Sequence, residues 1–415
     1  MAATVHIVGA GLAGLSAAVR LTSAGRRVVV HEATAFAGGR CRSYHDAAVG
    51  MTIDNGNHLL LSGNHAALHY LRSIGAEQGL VGPPTAEFPF VDLSSGERWT
   101  LRFNDGRVPL WVFDPARRVP GTRALDYAPL ARLLWSPAGK AVGEVITCEG
   151  RLYRRLVEPL LLAALNIDPP QGSARLASAV IRETLAMGGR ACRPLIAREG
   201  LGATLIEPAL AFLQERGAVV RMEHQLRGLR FAAETVEALD FGDEAVALEA
   251  EDAVILAVPP YAAAALVNGL EVPTEFRAIV NTHFRVDPPA DAPPILGVLN
   301  GTVQWIFAFP GRLSVTISAG DRLIEAAREE LARTVWDEVA RATGLPAVMP
   351  PWQIVRERRA TFAATPAQDA KRPGARTAWR NLVLAGDWTD TALPATIESA
   401  IRSGDRAADL IAKLP

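Results

Sequence analysis

Cysteine is scarce in this chain of 415 residues, which carries only Cys41, Cys148 and Cys192. Their number is odd, and no Cys-x-x-Cys or histidine-rich spacing accompanies them. The sequence therefore predicts neither a disulfide framework nor a metal site. Unpaired thiols are typical of reducing compartments, so we expect a cytoplasmic protein.

The chain also lacks an excess of charge of one sign, with 43 basic and 44 acidic residues and a net charge of -1. Without a basic field we expect no nucleic-acid partner. No apolar run approaches the ~20 residues that span a bilayer. The first residues lead into a strand pattern and not into the apolar core of a signal peptide. The sequence thus predicts a protein in solution or at a membrane surface.

What the chain does contain is a βαβ pattern at its start, with strands predicted over 5–8 and 27–32 and a helix over 12–23. Similar apolar strands are predicted near the middle and the end of the chain. Two less regular insertions separate them, with strand-like alternation over 101–119 and helical spacing over 129–165, broken by Pro137 and Pro159. Further predicted elements are a helix over 203–216, strands over 218–221 and 253–258, a helix over 322–341, a strand over 381–385 and a helix over 394–412.

A glycine motif, Gly9-Ala10-Gly11-Leu12-Ala13-Gly14, follows the first strand and opens the first helix. In this pattern the glycines allow a tight turn, close approach of a pyrophosphate and close packing of helix on strand. The helix N-terminus attracts the phosphates. Glu32 ends the second strand, where a carboxylate accepts hydrogen bonds from ribose hydroxyls. We predict that a dinucleotide contacts Gly9, Gly11, Ala13, Gly14 and Glu32.

Two further segments indicate which dinucleotide binds. The stretch from Glu32 to Gly39-Arg40 resembles the E-x(n)-GGR signature of flavin amine oxidases and phytoene desaturases, which implies that Ala33, Gly39 and Arg40 run beside FAD. The segment from residue 384 to 404 resembles the C-terminal flavin motif of the same family. That resemblance implies contacts from Gly386, Asp387, Thr396 and Ile397, with a helix from Pro394 aimed at the flavin, where its dipole stabilises the reduced anion.

The resemblance implies an α/β protein in which an interrupted Rossmann-like FAD-binding domain of the glutathione-reductase-2 type accompanies a mixed α+β substrate domain. We place the FAD domain at 1–75, 196–265 and 376–415, and the substrate domain at 76–195 and 266–375. Leu226 is predicted to contact the adenine, with core packing as the alternative. No cysteine lies near the C-terminal motif, so we expect non-covalent FAD. No second glycine motif follows a strand, so we expect no NAD(P)H domain.

The stretch 53–65, IDNGNHLLLSGNH, resembles hydroxysqualene dehydroxylases of the hopanoid pathway, and so do the tail and residues 160–166. The resemblance implies that Gly56, Asn57 and His58 pass over the flavin. It also implies that reduced FAD removes the hydroxyl of hydroxysqualene, a long apolar isoprenoid, to give squalene. One departure is Asn57, where glutamine is more frequent. The amide is kept, but its reach is one carbon shorter.

Loss of the hydroxyl as water needs an acid, and His58 and Asp54 are our candidates for the acid and its orienting partner, with Asp390 as a third. Other roles stay open. Asp54 also suits a turn cap, and His58 also suits a hydrogen bond to flavin or backbone.

Three other functions compete with dehydroxylation: a carotenoid or phytoene-type desaturase with the opposite hydride direction, an amine oxidase, and a non-catalytic flavin or lipid carrier. The chain has Trp388 after Asp387 and only five tyrosines, which disfavours the aromatic cage of amine oxidases. The sequence does not identify the electron donor. The leucine-rich stretch 127–165, with its arginines, fits either peripheral docking on lipid headgroups or a domain core beside a solvated arginine face.

Overall fold

The computed structural model describes residues 3–414 and contains strands, α-helices and shorter helical turns. The strands, in chain order, are β1 (Thr4–Val8), β2 (Arg27–His31), β3 (Ser43–Asp46), β4 (Met51–Asp54), β5 (Leu60–Leu61), β6 (Leu80–Val81), β7 (Glu87–Asp92), β8 (Arg98–Arg102), β9 (Pro194–Ala197), β10 (Val219–Arg221), β11 (Gly228–Ala232), β12 (Thr235–Asp240), β13 (Ala245–Ala247), β14 (Ala253–Leu256), β15 (Phe276–Arg285), β16 (Ile295–Leu299), β17 (Trp305–Phe309), β18 (Arg312–Ile317), β19 (Trp352–Phe362) and β20 (Leu382–Leu384).

The α-helices are α1 (Leu12–Ser23), α2 (His65–Ser73), α3 (Gly150–Leu152), α4 (Glu158–Leu165), α5 (Ala174–Glu183), α6 (Gly189–Cys192), α7 (Glu207–Glu215), α8 (Pro260–Leu266), α9 (Arg328–Thr343), α10 (Pro366–Ala370) and α11 (Ile397–Ile411). Two π-helical turns span Tyr153–Val157 and Gly202–Ile206. The 3₁₀ segments are Gly39–Cys41, Glu77–Gly79, Leu110–Phe113, Ala124–Trp135, Val142–Glu144, Pro169–Gln171, Leu185–Met187 and Gly320–Leu323.

A five-stranded parallel sheet, in the order β10-β2-β1-β14-β20, draws its strands from the start, middle and end of the chain. Its central strands β1 and β14 are buried along their whole length. Apolar clusters pack on both faces, which explains why these strands are apolar runs without alternation. The carboxyl end of β1 feeds the glycine turn, so the sheet positions the candidate cofactor site.

The first and last helices of this sheet cross at very short range. A Cβ added to Gly404 of α11 would lie 2.1 Å from both the Ala13 carbonyl oxygen and the Ser16 hydroxyl of α1. The Ser16 hydroxyl also donates to the Ile401 carbonyl at 3.2 Å. Glycine at 404 therefore sets how closely the two ends of the chain approach each other.

A second, seven-stranded sheet runs in the order β19-β15-β18-β17-β16-β7-β8 and is antiparallel except for the β16–β7 pair. Helix α9 packs on this second sheet and buries Leu331, Val335 and Trp336 in an apolar cluster with the strand residues. Another cluster is rich in aromatic residues, including Phe90, Trp305 and others from β7, β8 and β17. The α/β class with a mixed second sheet is confirmed. The domain boundaries assigned from the sequence stay a prediction.

Several predicted elements differ from the structure. Strand structure stops at Arg102 and does not continue to residue 119, because Pro109, Pro115 and Pro120 cannot donate to a ladder. Pro159 does not break the helical run over 150–165, because it lies just after the π-helical turn Tyr153–Val157, in which the backbone hydrogen-bond pattern already shifts. The predicted helix over 322–341 begins at Arg328, after a 3₁₀ segment. The last helix begins at Ile397 and not at Pro394.

Within residues 3–414, no helix is both long and apolar enough to cross a membrane.

We expect Gly404→Ala to lower the free energy of unfolding by about 1–3 kcal/mol, because the new methyl group overlaps the α1 backbone. It should also reduce bound flavin, because α1 carries the glycine turn. Thermal melting and flavin absorbance measure the two effects. Gly374→Ala is the matched control, since a Cβ there meets nothing within 4 Å. Equal stability of the two variants would contradict the packing argument.

Candidate cofactor and active site

The glycine turn after β1 leaves open space in front of α1. Gly9 has a φ of +105°, and its N–H donates to the His31 carbonyl at 2.7 Å. A Cβ on Gly14 would lie 1.9 Å from the Gly9 carbonyl oxygen, whereas a Cβ on Gly11 would meet no atom within 4 Å. Glycine is thus required at 9 and 14 by the turn itself, while the space at Gly11 suits a phosphate at the helix N-terminus.

Glu32 lies directly after β2, and hydrogen bonds fix its carboxylate. One oxygen accepts from the Ala10 N–H at 2.9 Å, and the other accepts from the N–H and hydroxyl of Thr34 at 3.0 and 2.9 Å. The carboxylate remains partly exposed beside the glycine turn, and the neighbouring Ala33 is exposed. An oriented carboxylate with remaining lone pairs is the acceptor that a ribose diol requires.

The segment after β10 contacts this corner mainly through its backbone. The N–H groups of Glu223 and His224 donate to the carbonyls of Thr34 and Glu32 at 3.0 and 2.8 Å. Leu226 itself is buried in an apolar cluster with Val236 and other core residues. The structure therefore gives the Leu226 side chain a packing role, and its contact with adenine stays a prediction.

Arg40 links the motif that runs from Glu32 to Arg40 with the C-terminal flavin motif. One guanidinium nitrogen lies 2.7 Å from the Asp387 carboxylate, and the other donates to the Ala360 carbonyl at 2.6 Å. Burial alone would lower the pKa of Arg40, but Asp387 outweighs it and raises this pKa. Arg40 is surrounded by protein on all sides, yet 44% of its side-chain surface is accessible. It therefore lines an internal space beside Gly39.

The C-terminal motif is built by hydrogen bonds around Gly386. Its N–H donates to the Ser403 hydroxyl at 2.8 Å, and its φ of +144° places it in a conformation that favours glycine. Thr396 is the N-cap of α11 and accepts from the Ser399 N–H at 3.1 Å, so Ile397 is the first helical residue. This cap explains why the helix begins three residues later than predicted.

The loop that follows β4 rests on the second sheet. The Asn57 amide nitrogen donates to the Val315 carbonyl and the Thr316 hydroxyl, both at 3.2 Å. Asn281 accepts from the Thr316 hydroxyl at 2.8 Å and also contacts the Asn57 amide. The Asn57 side-chain oxygen is buried without a protein partner. This unpaired acceptor and the buried Gly56 border the position of His58.

His58 lies deep in the molecule but keeps some accessible surface, as Arg40 does. Burial, and to a smaller extent the positive charge of Arg40, lower the pKa of His58 to about 4, although Asp54 opposes the shift. His58 is therefore uncharged at neutral pH. A neutral imidazole still offers one donor and one acceptor to a polar group in the same space.

These observations fit FAD. The open glycine turn and the fixed Glu32 carboxylate suit the adenosine and pyrophosphate portions. The accessible surface of Arg40 and the unpaired Asn57 oxygen supply polar partners deeper in the protein. The set joins both ends of the chain around one internal space, as an extended dinucleotide requires.

The model of the flavin containing amine oxidoreductase family matches residues 12–412. The chain belongs to this family. A hydroxysqualene dehydroxylase of Sinorhizobium fredii is 61% identical over 99% of this chain and 98% of its own length. A probable zeta-carotene desaturase of Synechococcus elongatus is 24% identical, with 97% of each chain covered. The solved cyclohexylamine oxidase of Brevibacterium oxydans has the same fold, with a TM-score of 0.71, 18% identity and coverage of 100% and 99%.

Membership of the flavin containing amine oxidoreductase family confirms FAD as the cofactor, and the 61% identity confirms the resemblance to hydroxysqualene dehydroxylases. The roles of single residues are not settled by it. The assignment of Gly9, Gly11, Ala13, Gly14, Glu32, Arg40 and the other motif residues to FAD contacts stays a prediction, which the geometry above supports.

The structure separates the three candidate acids of this flavin containing amine oxidoreductase. Asp54 is 2% exposed, and its carboxylate accepts from the Ser43 hydroxyl at 2.5 Å and the Leu201 N–H at 2.8 Å. Arg312 completes the set with an ion pair at 3.3 Å. Asp54 thus has no free face for a substrate hydroxyl, which favours the structural alternative over the acid role.

Asp390 belongs to a network with Arg175, whose guanidinium lies 3.2 Å from it and 2.6 Å from Asp369. Partial burial would raise the pKa of Asp390, but the hydrogen bond from Arg175 outweighs it and lowers this pKa. Asp390 is therefore ionised at neutral pH and has no proton to give. Of the three candidates, His58 keeps accessible surface and lies close enough to Arg40 for that charge to lower its pKa.

Sequence reasoning missed several residues that build the site. Asn281 and Thr316 hold Asn57, and Glu398 accepts from the Ala66 and Ala67 N–H groups at 3.0 and 2.9 Å, which caps α2. A signal existed for Asn281, because the polar run 281–283 directly follows the apolar residues 278–280 of a strand that is largely buried. No local signal indicated Glu398, since its partners lie more than 300 residues away.

We expect Glu32→Ala to lose most of its bound FAD, because the carboxylate both fixes the turn through Ala10 and supplies the ribose acceptor. The ratio of flavin absorbance near 450 nm to protein absorbance after purification measures occupancy. Exposed Glu251 provides the control Glu251→Ala, which should keep its flavin. Full occupancy in Glu32→Ala would contradict this role.

The buried histidines predict acid sensitivity. Burial holds the pKa of His58 near 4 and the pKa values of His31 and His283 near 3. Unfolded histidine titrates near ~6.5. The unfolded state therefore binds more protons below neutral pH, so the free energy of unfolding falls as pH drops from 7 towards 4.

We expect His58→Gln to weaken this dependence, since His58 alone accounts for about 2 kcal/mol at pH ~5. Melting curves at several pH values measure it. His45 is exposed, so His45→Gln should keep the wild-type slope. An unchanged slope in His58→Gln would show that His58 is not buried in its neutral form.

Proposed function

We propose that this protein reductively removes the hydroxyl of hydroxysqualene to give squalene, a step of hopanoid and isoprenoid biosynthesis. The observation that carries the proposal is the 61% identity, over almost the whole of both chains, to a relative of that name. The internal space that brings Arg40, Asp387 and His58 together supports it, because one space then accommodates cofactor and substrate.

The reaction breaks one C–O bond and forms one C–H bond at the same carbon. The hydroxyl takes up a proton that comes from solvent and leaves as water, while the carbon gains a hydride. Reduced FAD, when bound, would supply that hydride, which carries the two electrons. We propose that a separate electron donor restores the reduced cofactor. The sequence has no second glycine motif after a strand that would bind a nicotinamide cofactor.

We propose that His58 orients the substrate hydroxyl with its neutral imidazole. A neutral ring is compatible with positive charge that develops on the reacting carbon, whereas an imidazolium would repel it. Asn57 positions the adjacent loop through Val315 and Thr316. Asp54 acts at a distance, because its ion pair with Arg312 fixes the end of β4 from which this loop departs.

We propose that FAD is held without a covalent bond. Cys41 is the cysteine next to Arg40 in the chain, and its burial raises the pKa of the thiol to about 12. A buried thiol stays protonated at neutral pH and is a weak nucleophile. The hydrogen bonds and the helix N-terminus described above then account for cofactor binding.

A substrate of this class is long and uncharged, and an apolar cluster beside the site suits it. The cluster includes Leu59, the neighbour of His58, and continues through the aromatic residues of β7, β8 and β17. We propose a cytoplasmic enzyme that collects this substrate by peripheral contact with a membrane.

The rival function is that of a carotenoid desaturase, which runs the hydride in the opposite direction. The 24% identity to a zeta-carotene desaturase favours this alternative much less. The amine oxidase alternative rests on likeness of fold alone.

The deciding experiment incubates dithionite-reduced holoenzyme anaerobically with hydroxysqualene and analyses the products by mass spectrometry. We expect squalene from the reduced enzyme and none from the oxidised enzyme. Phytoene desaturation by the oxidised enzyme, without squalene formation by the reduced one, would overturn the proposal.

Within the same assay, His58→Gln should lower the rate by about 100-fold while it retains FAD, because the glutamine amide does not reproduce the imidazole geometry that orients the substrate hydroxyl. His69 lies exposed on α2, so His69→Gln is the matched control with wild-type rate. A wild-type rate in His58→Gln would remove His58 from the mechanism.

A further inference from the structure

Large exposed apolar side chains are concentrated in one short part of the chain. Nine such side chains occur within residues 3–414, and five of them lie between residues 108 and 135. These five are between 60% and 82% exposed. They are Val108, Leu110, Phe113, Leu125 and Trp135. Such a concentration of exposed apolar side chains in one part of the chain indicates a contact with another apolar phase.

The two 3₁₀ segments that carry most of these residues are packed side by side. In a 3₁₀ helix, residues three apart project from the same side. Leu110 and Phe113 therefore point outwards together, while Trp111 and Val112 between them are buried. The rings of Trp111 and Tyr127 meet edge to face with centroids 5.2 Å apart, and the Tyr127 hydroxyl accepts from the Val119 N–H at 3.0 Å.

The same rule explains the second segment, Ala124–Trp135. Tyr127, Leu130 and Leu133 recur every three residues and face the interior, which leaves Leu125 and Trp135 at the surface. We call residues 107–135 the apolar surface segment. Aromatic packing fixes the inner side of this segment against the protein. The side chains on its outer side therefore stay exposed.

The net charge of the chain around this segment is positive, although the whole chain has a net charge of -1. Residues 105–155 contain nine basic and five acidic side chains. Three of the acids, Asp114, Asp126 and Glu144, accept backbone N–H groups in local turns. The arginines Arg107, Arg123, Arg132 and Arg154 are exposed and form no ion pair with any residue in 3–414. Free arginines beside exposed Leu, Phe and Trp side chains complement an anionic lipid surface.

The apolar surface segment is connected to the candidate active site through the protein interior. One buried apolar cluster contains Trp111, and Ala124, Tyr127, Leu130 and Leu59 all pack against it. Leu59 follows His58 directly. A continuous apolar medium thus extends from beneath the exposed side chains to the loop that carries His58.

We propose that the apolar surface segment docks this enzyme on the headgroup region of an anionic phospholipid bilayer. Phe113, Leu125 and Trp135 enter the interface, and Arg123 and Arg132 bind lipid phosphates. The choice of a bilayer rests partly on the proposed function, because a C30 isoprenoid dissolves in the acyl region. The docked enzyme then takes its substrate from the bilayer.

The test is co-sedimentation of flavin-loaded enzyme with vesicles of phosphatidylcholine alone and of phosphatidylcholine with phosphatidylglycerol at about 3:1. We expect binding to the anionic vesicles and at least ~10-fold weaker binding of the triple variant Phe113→Ser, Leu125→Ser, Trp135→Ser. Val348→Ser is the matched control, since Val348 is equally exposed but lies outside the segment. Flavin absorbance and melting temperature verify that each variant is folded.

The double variant Arg123→Gln, Arg132→Gln tests the charge. Each arginine near an anionic surface contributes about fivefold in affinity. We therefore expect about 25-fold weaker binding to the anionic vesicles by the double variant and no change on phosphatidylcholine alone. Equal loss on both vesicle types, or no loss on either, would contradict the assignment of these arginines to lipid phosphates.

Turnover of detergent-solubilised hydroxysqualene separates this proposal from the proposed function. If the wild-type enzyme converts solubilised substrate but ignores anionic vesicles, docking is wrong and the function stands. If it binds vesicles but yields no squalene, the function is wrong and docking stands. Light scattering that shows a dimer of wild type and a monomer of the triple variant would assign the surface to a second copy of the chain and overturn docking.

Discussion

The close approach of the two ends of the chain is the constraint on which the site depends. Gly404 lets α11 cross α1 at backbone contact, and Arg40 reaches Asp387 across 347 residues of sequence. The glycine turn belongs to the first segment and the C-terminal motif to the last. Without this crossing, neither could contribute to one internal space. A single extended cofactor is the ligand that such a divided site accommodates.

The second sheet contacts the loop between Asp54 and His58 and fixes its position. Asn281 and Thr316 fix Asn57, and Arg312 neutralises the buried Asp54. A buried ion pair loses much more when one partner is removed than it contributes as a pair. These contacts are therefore best understood as positioning devices. They leave His58 as the polar side chain of the loop with accessible surface beside Arg40.

The low pKa of His58 argues against a role for this residue as a charged acid. A histidine in such a loop suggests an imidazolium acid, but burial and the nearby guanidinium keep it neutral. Asp390 is ionised because of Arg175, so it offers no proton either. The uncharged imidazole of His58 thus suits the proposed role of orienting the hydroxyl, and Asp387 balances the positive charge of Arg40 in the same space. The apolar cluster against which Leu59 packs also contacts the apolar surface segment.

The parallel sheet, the glycine turn with Glu32 and the cofactor class could be predicted from the sequence, because they depend on local spacing and on strands that are apolar throughout. The sequence-based predictions were wrong where proline and capping decide, as for residues 103–119 and the start of α11. The enclosure of Asp54, the neutral state of His58 and the support from Asn281 and Glu398 became visible in the folded chain alone. Burial, pKa and long-range hydrogen bonds depend on which distant segments meet, and no local pattern contains that information.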